Sequence, residues 1–192
     1  FGPSQIRLQV VSDKIIRVQA TAEQGFRDKQ SLIIVPQKGK ANYKVEEQGE
    51  KLIITTAAMR AVLNEATGQI TFYDLKDHVL LNEVAQGGKT FKPFTVPDRE
   101  IGVDIAKVPE SQKHGWSWRA LFDSPDNEAF YGLGQHQSEE LNMKGKNEDL
   151  FQYNTKVSVP FVISNKNYGI LWDSYSYCRW GNPEDYLQLN RA

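Results

Sequence analysis

Apolar residues in this chain recur at every second position. Ile6, Leu8 and Val10 alternate with Arg7 and Gln9; after Ser12-Asp13-Lys14, Ile16, Val18 and Ala20 alternate with Arg17 and Gln19. A period of two puts successive side chains on opposite faces of an extended chain, so this stretch predicts a strand, a tight turn and a strand. Leu32-Ile33-Ile34-Val35 is a short β-rich run ended by Pro36. Further strands are predicted over 43–46, 51–56, 58–63 and 69–73, with turns at Glu47-Gln48-Gly49-Glu50 and Asn64-Glu65-Ala66-Thr67-Gly68. Strand signals at a spacing of roughly 8–12 residues mark a sandwich or a barrel.

Residues 85–115 are looser, punctuated by Gly87-Gly88, Pro93, Pro97, Gly102 and Pro109. Any strands there are expected to be short or at an edge, because proline cannot donate to a ladder. Trp116, Trp118, Leu121 and Phe122 fit either a bent strand or a single helical turn. Ala129-Phe130-Tyr131 resumes a strand. Ser138-Glu139-Glu140-Leu141 could open a helical turn with Ser138 as its cap. Val157 to Ser164 and Gly169 to Asp173 predict a hairpin across Asn165-Lys166-Asn167-Tyr168, where Asn tolerates left-handed backbone.

Composition adds bounds. The 192 residues fit one large domain, or one domain and a fragment, and at 40% hydrophobic and 11% aromatic they can bury a core of ordinary size. Lys and Arg number 23 against 24 Asp and Glu, for a net charge of -1. That balance argues against nucleic acid and against an anionic membrane surface, and it suits a neutral partner such as a sugar. Cys178 is the only cysteine, so neither an intrachain disulfide nor a cysteine-based zinc site can form. No apolar run reaches ~18 residues, the length of a membrane span. Phe1, with no initiator Met and no basic-plus-apolar leader, is expected of a processed product or an engineered piece.

Candidate chemistry is sparse. Gly132-Leu133-Gly134 lacks the third glycine and the following helix of a dinucleotide loop; a bulge or a close backbone approach inside a strand explains it better. His78, His114 and His136 share no metal-ligand spacing and are expected to be solvated or structural, with His136 the one to watch. Trp116, Trp118, Phe130, Tyr131, Phe151, Phe161, Tyr168, Trp172 and Tyr175 are mostly expected in the core. Tyr153, between Gln152 and Asn154 in a polar loop, is a better ligand contact. A retaining glycosidase needs two carboxylates roughly 5–5.5 Å apart. Glu139-Glu140 and Glu148-Asp149 are expected in polar loops, and nothing in the sequence sets two of them face to face.

Four stretches now combine. Tyr131-Gly132-Leu133-Gly134, Lys144-Gly145-Lys146, Pro160-Phe161 and Tyr168-Gly169-Ile170-Leu171-Trp172-Asp173 resemble, in order and spacing, the N-terminal β-sandwich of glycoside hydrolase family 31. That family contains α-glucosidases and α-xylosidases. Residues 147–155 look most like bacterial α-xylosidases that trim xyloglucan oligosaccharides. Gln135 departs from the pattern, since many members carry Glu there. Residues 1–125 resemble the family only in their all-β meander.

The resemblance implies an all-β fold over 1–192, an antiparallel β-sandwich of galactose-mutarotase-like type lacking its last strands. It implies a parent enzyme whose (β/α)₈ barrel, absent here, carries an Asp nucleophile and an Asp general acid/base and uses no metal or organic cofactor. This chain is then expected to hold no catalytic residue and no cofactor. Leu187-Gln188-Leu189-Asn190-Arg191 looks like the insertion point of a lectin-like domain. A loop of the family's N-terminal domain reaches over the barrel mouth; Phe151 to Thr155 corresponds to it by position. Gln152, Tyr153 and Asn154 are the substrate-binding candidates, since amides and phenols both donate and accept hydrogen bonds to sugar hydroxyls. The expected partners are an oligosaccharide and the missing barrel, and self-association through an unpaired sheet edge is also expected. The resemblance places the protein in a bacterial periplasm or outside the cell. Rival readings are a stand-alone carbohydrate-binding module, a plain interaction domain, and a mutarotase-like aldose epimerase. The epimerase would need a general acid and base, commonly His and Glu, converging in a cleft.

Overall fold

The computed structural model describes residues 5–27, 29–36, 41–86, 88–95, 104–137, 140–152 and 154–181. The chain divides into two compact units, Phe1–Gln30 with Pro36–Asp123, and Ser31–Val35 with Ser124–Ala192. Nearly all of the described regular structure is β, and every strand pair is antiparallel. A 3-10 turn at Ile105–Lys107 and one helical turn at Glu110–Lys113 are the described exceptions.

In the first unit, β1 (Gln5–Ser12) pairs with β2 (Ile15–Thr21) across the predicted tight turn. Arg7 stands opposite Gln19 and donates to its Oε1 from Nε at 2.8 Å and from Nη2 at 2.6 Å, so the polar face of the hairpin is laced as well. The next strands are β3 (Tyr43–Gln48), β4 (Lys51–Thr56), β5 (Arg60–Asn64), β6 (Ile70–Tyr73) and β7 (Val79–Glu83). They run as a meander of successive hairpins, and β10 (Phe122–Asp123) joins beside β7 to give the order β10-β7-β6-β5-β4-β3. Gly49 closes the β3–β4 turn at φ 60°, a left-handed conformation that costs glycine least. Register explains the core: Ile54 faces Ala61 and Leu63 faces Ile70, and all four are buried.

The looser segment resolves into a two-stranded ribbon of β8 (Lys89–Thr95) and β9 (His114–Ala120). Pro93 is tolerated within β8 because the described residues give that strand one partner, leaving one side of its backbone with no ladder to donate to. No helical turn forms over Trp116 to Phe122: Trp116 and Trp118 lie in β9, Phe122 lies in β10 and Leu121 falls between the two strands. Phe91 stacks on Trp118 at 5.9 Å between ring centroids and meets Trp116 edge-on at 6.5 Å.

In the second unit, β11 (Phe130–Gln135), β13 (Val157–Ser164) and β14 (Tyr168–Leu171) form a sheet in the order β11-β13-β14. The strands β12 (Glu148–Leu150) and β15 (Cys178–Trp180) pair separately. The predicted hairpin is present, with Asn167 left-handed at φ 64°. Phe130, Leu133, Met143 and Val162 make the core, edged by Leu150, Tyr168, Ile170 and Trp180. The Trp180 ring meets Phe130 at 5.2 Å and its Nε1 donates to the Met143 carbonyl at 3.0 Å.

Some expectations fail for identifiable reasons. Leu32–Val35 is not a strand: the Ser31 hydroxyl accepts from the Ile33 and Ile34 amides, a local bond that competes with a ladder, and Tyr175 Oη accepts from the Leu32 amide at 2.6 Å. Ser138 and Glu139 lie outside the described residues, and Glu140 and Leu141 are not helical. Glu148 and Asp149 lie in a strand and not in a polar loop. The segment Leu187–Arg191 lies outside the described residues.

Candidate functional site

Strand β11 carries the local anomaly on which the site is built. Its buried residues, Phe130 and Leu133, are three positions apart, which a regular strand of period two cannot deliver. The register against β13 shifts there: Gly132 pairs with Val162 but Gly134 with Ser158, so Leu133 alone stands against three residues of β13. Gly132, Leu133 and Gly134 all have positive φ, at 128°, 68° and 97°. A Cβ on Gly132 would stand 2.6 Å from the Phe161 carbonyl oxygen, and one on Gly134 would collide with the carbonyl of Val157. The glycines therefore serve a close backbone approach, as expected, beside a bulge that lies on β13, and the irregularity turns Leu133 into the core.

Beyond the bulge the β11–β13 ladder ends with Gln135 opposite Val157. The next residues on each side, His136 and Lys156, both meet Glu148 of β12. Lys156 Nζ lies 2.7 Å from Glu148 Oε1, and His136 Nδ1 lies 3.0 Å from the same oxygen without hydrogen-bond alignment. His136 Nε2 donates to the Leu133 carbonyl at 2.7 Å. The His136 and Glu148 side chains are 4% and 13% exposed, so this contact is an internal brace. One residue further out, Gln137 Nε2 donates to Thr155 Oγ1 at 2.5 Å.

The loop between β12 and β13 holds the sugar-contact candidates. Gln152 is largely committed to the loop itself: its Nε2 donates to the Lys156 carbonyl and its Oε1 accepts from the Ser158 amide at 3.1 Å. Ser158 Oγ in turn donates to the Phe151 carbonyl at 3.0 Å. Asn154 is exposed in a left-handed turn at φ 50°. Tyr153 lies outside the described residues.

Sequence reasoning missed the neighbours of this loop on and beside β15. Tyr177, just before the strand, packs against Phe151 at 5.8 Å between ring centroids. Its hydroxyl donates to Asp149 Oδ1 at 2.5 Å and accepts from Arg179 Nε at 2.7 Å. Phe151 and Tyr177 keep 41% and 51% of their surface exposed. The pairing of β12 with β15 creates this group, and three-residue strands leave no periodic signal in a sequence. Burial, then the hydrogen bond to Asp149, pushes the Tyr177 phenol above the usual tyrosine value. A raised folded value means the stability from this bond is full below the unfolded tyrosine range and is lost as pH rises through the folded one. The tyrosinate absorbance that Tyr177→Phe removes is expected to appear at higher pH than that of an exposed tyrosine. An ordinary midpoint in that difference titration would count against the bond.

The other polar residues hold the scaffold. Glu128 is buried and accepts from Ser164 Oγ at 2.5 Å and Tyr168 Oη at 2.6 Å, and burial with that bond pushes the Tyr168 phenol up. Asp173 accepts from Ser31 Oγ at 2.9 Å and Tyr175 Oη at 3.0 Å. His78 and His114 are exposed beside carboxylates of their own turns, Asp74 at 2.8 Å and Glu110 at 3.0 Å. The bond from His78 holds the Asp74 carboxyl below its usual value, and bonds from Lys113 and then His114 do so for Glu110. An epimerase needs a histidine and a glutamate facing each other across an open cleft. The His136–Glu148 contact is buried and shares its carboxylate with Lys156. Among the described residues, no three His, Cys, Asp or Glu side chains cluster as a metal site would require.

The class is thus an antiparallel, all-β domain whose polar chemistry is spent on bracing a loop. The chain belongs to the glycosyl hydrolase 31 N-terminal galactose mutarotase-like domain family, whose model matches residues 5–180. The crystal structure of a family 31 α-xylosidase from Xanthomonas citri superposes with a TM-score of 0.80 at 38% identity, covering 93% of this chain and 18% of that one. A family 31 α-xylosidase from a soil metagenome, solved with xylose, gives 0.74 at 26% identity, covering 91% and 26%. A curated relative, an uncharacterized family 31 glucosidase of Pseudescherichia vulneris, is 27% identical over 183 residues, 91% of this chain and 34% of its own length. The chain spans about a third or less of the length of these relatives.

Proposed function

We propose that this chain is the non-catalytic N-terminal domain of a retaining α-glycosidase that removes terminal α-linked xylose or glucose from oligosaccharides. The observation that carries the reading is the family match over residues 5–180, combined with 38% identity to an α-xylosidase of which the chain covers 18%. Both structural relatives described above are α-xylosidases, which favours xylose. In this reading the catalytic aspartates belong to a barrel elsewhere in the parent protein. The domain supplies scaffold and a substrate-subsite loop over residues 151–155, with Gln152, Tyr153 and Asn154 as the candidates for contact with the sugar that leaves. The engagement of Glu128, Glu148, Asp149 and Asp173 in bracing contacts supports a supporting role over a chemical one.

The same reading puts the parent enzyme in a bacterial periplasm or outside the cell. Self-association through an open edge gains nothing from β3, which borders the six-stranded sheet. It carries Lys44, Glu46 and Glu47, and charge on an edge strand blunts pairing with another chain. The pure chain is expected to give no hydrolysis of an aryl α-xyloside or an aryl α-glucoside, whereas the full-length protein that carries it hydrolyses at least one. Turnover by the chain alone, or none by the full-length protein, would overturn the reading.

A further inference from the structure

We propose that Glu148 is a positioning residue: it fixes the described return arm of the β12–β13 loop, residues 154–156, and thereby sets how tightly the enzyme holds the leaving-group sugar, without touching that sugar. The inference rests on the subsite reading of the loop given above. The backbone ladder between β11 and β13 stops at Gln135 opposite Val157. Side chains then continue it in the same register for two more rungs. Lys156 Nζ is joined to Glu148 Oε1 at 2.7 Å with the His136 ring lying 3.0 Å from the same oxygen, and Gln137 is joined to Thr155 directly at 2.5 Å. The loop's return arm is thus held against the end of β11 where no backbone bonds hold it.

Glu148 suits this role because it belongs to a different pair of strands. It sits on β12, opposite Trp180 of β15, and Trp180 is packed on the Phe130 ring of the core. The carboxylate is therefore anchored from the core side, and the Lys156 ammonium and the His136 ring come to it. The side chains of His136, Glu148 and Lys156 are 4%, 13% and 18% exposed, which leaves little room for solvent to replace a lost contact. Glu148 also stands three residues before Phe151, so one side chain ties the loop's entry to its return. Gln152 closes the remaining gap through the Lys156 carbonyl and the Ser158 amide.

The test uses the full-length protein with Glu148→Gln, which keeps the shape and removes the charge, and with Asn154→Ala as a loop reference. The substrates are a xyloglucan oligosaccharide, which places a sugar in the leaving-group position, and an aryl α-xyloside, which does not. Glu148→Gln is expected to raise KM for the oligosaccharide about fivefold, because the amide oxygen still accepts from Lys156 but the bond loses its charge assistance. The kcat on both substrates and KM for the aryl xyloside stay unchanged. Backbone hydrogen exchange at 154–156 is expected to quicken, while exchange in the paired residues of β13 and β14 does not. Equal loss on both substrates would mark general destabilisation and overturn the proposal. So would unchanged exchange and unchanged KM in Glu148→Gln, and if Asn154→Ala still weakened the oligosaccharide, the subsite reading would stand without it. Quicker exchange with KM unmoved in both variants would overturn the subsite reading, and the proposal with it.

Discussion

Lys89→Met is expected to cost the first unit about 3–5 kcal/mol, because it strands a buried carboxylate without its cation. The Lys89 and Glu83 side chains are each 4% exposed and in direct contact. Glu83 Oε2 also accepts from the Ile70 amide at 2.8 Å, and Lys89 Nζ donates to the Gly68 carbonyl at 3.1 Å. The pair thus ties β6, β7 and β8 at one point. Burial pushes the Glu83 carboxyl up and the Lys89 ammonium down, each opposed by the attraction of the other. That opposition is why removing one partner is worse than removing both. The double variant Glu83→Leu with Lys89→Met is expected to recover most of the loss. Urea unfolding, with hydrogen exchange at β5 to β7 to localise it, measures both. A single variant as stable as the double would show that the pair is not desolvated as described.

Gly134→Ala is expected to be nearly as damaging to the second unit. Its backbone, at φ 97°, is one that an L side chain rarely adopts, and the new methyl would strike the Val157 carbonyl. Backbone strain of ~1–2 kcal/mol and forced displacement of ~1–3 kcal/mol add to roughly 2–5 kcal/mol. Gly145→Ala is the control: it also has positive φ, at 70°, but nothing lies within 4 Å of the added Cβ. It bears the strain without the collision and should lose clearly less. Equal losses in the two variants, by thermal unfolding, would remove the close approach as the cause.

The strands were legible because their faces differ. Ile6, Leu8 and Val10 against Arg7 and Gln9 specify a two-sided hairpin, and β3 to β6 follow from β-rich runs separated by turns at Gly49 and Asn64, whereas β7, with Val79-Leu80-Leu81 in succession, gives no alternation to read. Leu32–Val35 misled because strand propensity is a property of four residues, whereas the bond that prevented the strand comes from Ser31 and from Tyr175, distant in sequence. The glycines of β11 are legible because a Cβ at Gly132 or Gly134 would collide with the β13 backbone. The candidate loop was found by likeness and polarity, yet the brace that holds it was not. Glu148, His136 and Lys156 are spread over 21 positions and meet only because a strand of three residues crosses to β15. Gln152 illustrates the converse, since an amide suited to a sugar hydroxyl serves equally well to close its own loop.

The six-stranded sheet has a kinetic meaning beyond its stability. From β3 to β7 every strand pairs with its neighbour in sequence, and only β10 arrives from afar, at the outer side of β7. Contacts between sequence neighbours close with little loss of chain entropy, so folds rich in them form quickly. This meander can therefore zip strand by strand as the polypeptide leaves the ribosome and be complete to β7 once Glu83 has emerged. The second unit must wait: its β12 finds β15 only after some 30 further residues, so synthesis itself imposes an order in which the sheet forms before the loop is braced.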